Sequence, residues 1–73
     1  MTVAQLKKRY NTLKVKLNNN EITSEDAKDK AIILLAAAID LQNVVEANSD
    51  EAYLIARIIN NLDEIANAKT VNL

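Results

Sequence analysis

The chain has 73 residues, 49% of them apolar and 26% charged, with a formal net charge of -1. It contains no Gly, Pro, Cys, His, Trp or Phe. These absences exclude disulfides and thiol chemistry, imidazole ligands and bases, and the glycine-lined phosphate loops of nucleotide-binding folds.

A single domain is expected at this length, and without covalent or metal staples it must rest on its apolar core. The first helix is predicted over about 3–18. Thr2 and Gln5 have capping-box spacing, each able to satisfy a backbone N–H of the other. Val3, Leu6, Tyr10, Leu13 and Leu17 then recur at alternating steps of three and four, the narrow seam of a helix packed along another. Asn18, Asn19 and Asn20 end the helix, because Asn is the best substitute for Gly in the left-handed conformation of a C-terminal cap.

The second helix is predicted over about 24–47, opening at Thr23 or Ser24. Thr23 and Asp26 again have capping-box spacing, and Ile22 stands where a hydrophobic staple would. Ala27, Ala31, Leu34, Leu35, Ala38, Leu41 and Val45 share one face. Ile32 and Ile39 widen that face on one side, and Ile33, Ala37 and Val44 widen it on the other. The apolar arc reaches about 260°, where a surface helix needs about 100°. Asp29, Asp40 and Asn43 fill the remaining wedge.

The third helix is predicted over about 49–68, opening at Asn48 or Ser49 with Asp50 and Glu51 where the helix dipole favours acids. Its core positions are Ala52, Ile55, Ile58, Ile59, Leu62, Ile65 and Ala66, with Arg57, Asn60, Glu64 and Asn67 opposite. Lys69 falls near the C-terminal end, and Thr70 to Leu73 are expected to fray. Short links make consecutive helices antiparallel neighbours, so the expected fold is an all-α, up-down-up three-helix bundle.

Charge is uneven along this chain. Residues 1–20 carry +5, through Lys7, Lys8, Arg9, Lys14 and Lys16, while 21–47 carry -4 and 48–73 carry -2. Three readings stand: electrostatic matching of the first helix to its acidic neighbours, a basic surface of Lys7, Lys8, Lys14 and Lys16 that meets nucleic acid, or the same charge meeting an acidic partner or membrane surface. Tyr10 lies in the apolar seam and reads as core. The surplus arc of the second helix is either covered by splayed neighbours or free as an interaction surface. Ile33, Ala37 and Val44, together with Tyr53 and Arg57 on the polar side of the third helix, form the candidate protein interface.

No catalytic group is expected. Asp29 and Asp40 share a face but stand about 16 Å apart along the helix, too far for a glycosidase-type pair. The other carboxylates read as caps and solvated faces, and no metal, cofactor or small-molecule substrate is implied. The longest apolar run, Ala31 to Ile39, has nine residues, against about 20 for a membrane span. With no leader-like apolar segment in the first 20 residues, the expected compartment is the cytoplasm, or that of a recombinant host.

Two resemblances accompany this reading. Ile22, Thr23, Glu25, Lys30, Leu34 and Leu35 resemble the helix start of short SHOCT-type C-terminal domains, though that family has Gly before the Ile and an aromatic at the place of Ala27. The likeness is one of helix initiation. In style, three capped helices with short links and sharp patterning resemble de novo designed three-helix miniproteins and binders, a likeness clearest over Asn48 to Ala66. Ten Asn residues and the absence of Gly at helix ends depart from that style. The expected function is a non-enzymatic protein-interaction module or designed binder, its partner another protein or itself. The alternatives are a small phage or mobile-element regulator, acting as an inhibitor or on nucleic acid, and a structural homo-oligomer.

Overall fold

Three capped helices form close to the predicted places: α1 over Val3–Asn18, α2 over Ser24–Val44 and α3 over Asp50–Ala66. They belong to a computed structural model that describes residues 1–67. All three helices pack on one another, α2 most extensively on α3. The fold is an all-α three-helix bundle with no strand among the described residues.

Each helix starts on a hydroxyl. At Thr2 the capping box is complete: Gln5 N–H donates to Thr2 Oγ1 at 3.1 Å, and Thr2 N–H donates to Gln5 Oε1 at 2.9 Å. At Thr23 only half of it forms, Asp26 N–H donating to Thr23 Oγ1 at 3.0 Å. The Asp26 side chain is one methylene shorter than the Glu or Gln that completes such a box. Ile22 packs against the core beside this start, in the staple position. Ser49 caps α3 by accepting from Ala52 N–H at 3.1 Å while donating to the Glu46 carbonyl at 2.7 Å.

Helix ends divide the work of Gly between two asparagines. Asn20 has φ 59° and Asn48 has φ 67°, both left-handed. After α1, Asn20 N–H donates to the Leu17 carbonyl at 3.2 Å and Glu21 N–H to the Lys16 carbonyl at 2.9 Å. That is a Schellman motif with Asn in the place usually held by Gly. Beyond α2 the arrangement departs from expectation. The helix stops at Val44 rather than near Ala47, with Val45 in extended backbone at ψ 157°. Ser49 N–H closes a turn on the Glu46 carbonyl at 3.2 Å, and Asn48 fills its third position, where a type II turn needs positive φ. The three residues expected to prolong α2 therefore belong to the turn that reverses the chain. Asn67 caps α3, its side-chain amide donating to the Asp63 carbonyl at 2.9 Å. The helix thus ends at Ala66, short of the expected 68, while Lys69 near its end and the fraying of Thr70–Leu73 lie outside the described residues.

The core is built from Leu6, Tyr10 and Leu13 of α1, Ala27, Ala31, Leu34 and Ala38 of α2, and Ile55, Ile58 and Leu62 of α3. Every one of them was placed on a core face by helical spacing. No polar or charged side chain is buried among the described residues. Tyr10 keeps its hydroxyl satisfied at the edge, accepting from the Asn61 side-chain amide at 2.7 Å. This bond ties α1 to α3.

Candidate protein interface

On α2 the innermost face is mostly alanine, with Leu34 buried and Leu35 and Leu41 half-buried beside it, while other large apolar side chains point outward. Three of its four buried residues are alanines. Ile32, Ile33, Ile39 and Val44 are all exposed, Ile33 by 69% and Val44 by 78%. An Ala seam lets a neighbouring helix approach closely, and it leaves the bulk of the apolar surface on the outside of the bundle. The neighbours do not splay to cover the surplus; both flanks of the wide arc are open.

The two flanks have different surroundings. Ile33 lines a groove of about 580 Å³ between α1 and α2, together with Gln5, Lys8, Arg9, Thr12, Leu13, Lys16, Lys30 and Leu34. Leu13 and Leu34 supply an apolar floor; four cations and no acid stand around it. Ala37 is half-buried, and exposed Val44 lies at the far end of the same flank.

The other flank faces away from α1. Ile32 and Ile39 lie about 160–180° around α2 from Lys30, which lines the α1 groove. Glu25, Asp29, Ile32, Ala36 and Ile39 follow steps of four, three, four and three, and all are exposed. This is a second packing seam, parallel to the one in the core, with apolar residues at its centre and acids at its start. On α3, half-buried Ala52, Ala56 and Ile59 also face away from α1, since they lie about 140–180° from Asn61.

The predicted interface residues do not form one patch. Tyr53, 61% exposed, and Arg57, also exposed, project about 160° from buried Ile55, on the outer side of α3. Ile33 instead belongs to the α1–α2 groove. The basic residues are likewise divided. Lys8 and Lys16 line the α1–α2 groove. Lys7 joins them on the outer face of α1, beside Ala4, Asn11 and exposed Val15. Lys14 turns to the α1–α3 side, its ammonium 4.9 Å from the centre of the Tyr10 ring. All four are exposed; Lys7, Lys8 and Lys16 border one outer groove of α1, and Lys14 alone turns to the other side.

Asn61 carries the one side-chain hydrogen bond between helices described here, and the sequence reading missed it. It sits a step off the apolar stripe in a polar run, and only the folded arrangement brings it to Tyr10. No group of three His, Cys, Asp or Glu side chains that could hold a metal occurs among the described residues. No helix among the described residues is long and apolar enough to cross a membrane. Comparison with family models, curated proteins and solved structures gave no match.

Proposed function

We propose that this chain is a non-enzymatic protein-interaction module whose binding element is α2. The observation that carries the reading is the apolar surplus of that helix: Ile32, Ile33, Ile39 and Val44 are exposed while three of its four buried residues are alanines. Contiguous exposed apolar surface of this kind marks interaction sites. Its polar borders, Lys30 on one side and Asp29 and Asp40 between the flanks, supply the orientation that apolar contact alone lacks. Tyr53 and Arg57 form a separate contact point on α3.

The test is substitution at exposed positions. Ile33→Glu and Val44→Glu each abolish association and leave far-UV helicity at the wild-type level. Unfolding of both variants would make these positions structural and remove the reading.

A further inference from the structure

We propose that the occupant of the α1–α2 groove is the outer seam of α2 from a second copy of this chain, joined head to tail. The inference rests on the reading of α2 as the binding element. Lys8, Arg9, Lys16 and Lys30 surround Ile33 in the groove, and no acid lines it. The outer seam offers the complement: Ile32, Ala36 and Ile39, with Glu25 and Asp29, all exposed, and Asp40 on the border between the seam and Ile33. Lys28, one turn before Ile32, is the one cation of α2 beside the seam; it also borders the groove shared by the three helices near Tyr10 and Glu64, while Lys30 lies on the far side of α2. Charge of opposite sign around two apolar strips of similar length fixes both partner and register.

The same charges exclude the two-fold alternatives. Seam against seam sets Asp29 and Asp40 of one copy against those of the other, and groove against groove opposes two sets of four cations. A groove-to-seam contact avoids both and covers Ile33 of one copy with Ile32 and Ile39 of the next. Because donor and acceptor surfaces differ, each copy keeps one of each free, and the contact propagates into a ring or a filament.

Sedimentation of paired variants tests this arrangement. At about 50 mM salt the mass of the wild type rises with concentration past that of a dimer, and raising salt to about 500 mM weakens association at least about tenfold. Ile33→Glu blocks the groove and Ile39→Glu blocks the seam, so each alone sediments as a folded monomer. Mixed in equal amounts they form a one-to-one dimer that grows no further, because each supplies the surface the other lacks. Lys16→Glu with Lys30→Glu replaces the groove variant without touching an apolar side chain, and gives the same result.

A wild type that stays monomeric at low salt overturns the proposal. So does a mixture that stays monomeric, or a single variant that still associates. A single-stranded oligonucleotide bound by a monomeric wild type would give the groove a different occupant and overturns it as well. Failure of the underlying reading of α2 shows differently, as loss of helicity in Ile33→Glu and Ile39→Glu.

Discussion

Helices α2 and α3 run side by side, yet they spend their hydrophobic residues in opposite ways. α3 is an ordinary amphipathic helix: Ile55, Ile58 and Leu62 are buried, and Arg57, Asn60 and Glu64 face water. α2 fully buries Ala27, Ala31 and Ala38 with one large residue, Leu34, half-buries Leu35 and Leu41, and leaves three isoleucines and a valine outside. Burying Ile or Leu contributes about 1.5–3 kcal/mol per side chain, far more than Ala supplies. Fold stability alone would place the isoleucines of α2 inward. Their outward position is what the proposed binding role of α2 calls for.

The contrast is broken most directly by trimming the two helices. Leu62→Ala in α3 lowers stability by about 2–5 kcal/mol, a large part of the roughly 4–10 kcal/mol typical for a domain of this length. Ile33→Ala in α2 changes it by less than about 1 kcal/mol, as expected of an exposed side chain. Urea unfolding of both variants measures the difference, and equal losses would erase it. The inward face of α2 gives the next largest effect. Ala38 is fully buried, so Ala38→Leu overpacks the contact and costs about 1–3 kcal/mol. Were α2 merely under-filled, that substitution would stabilise.

Smaller effects come from the links that set α2 against its neighbours. Asn20→Ala and Asn48→Ala each lose about 1 kcal/mol, because Ala pays the full penalty of the left-handed backbone that Asn tolerates. Thermal unfolding resolves this as a fall of a few degrees in Tm. An unchanged Tm would mean that the turns rearrange freely and do not hold the helices in place.

Much of this was readable in the residues. The hydroxyl cap at Thr2 followed from its position before an apolar pattern, the starts of α2 and α3 were narrowed to Thr23 or Ser24 and to Asn48 or Ser49, and the core followed from steps of three and four. The end of α2 did not, because Ala47 suits a helix and nothing local shows that Glu46 will close a turn on Ser49. Nor did the grouping of Ile33 with Tyr53 survive. Spacing along one helix fixes which residues share a face, but the rotation of one helix against another is settled only by packing. That packing placed Ile33 beside α1 and left Tyr53 on the outside of α3. The same step revealed the split of the cations, since Lys8, Lys14 and Lys16 look alike in sequence and differ only in which groove they border.

The central claim is that the outer flanks of α2 are not needed for the fold. Urea unfolding of Ile33→Ser/Val44→Ser, at a protein concentration low enough to keep the chain monomeric, tests it most directly, because Ser has a helix propensity close to that of Ile and Val. An unfolding free energy within about 1 kcal/mol of wild type is the predicted result. A loss of about 3 kcal/mol or more, the scale of a disrupted core, would contradict the claim.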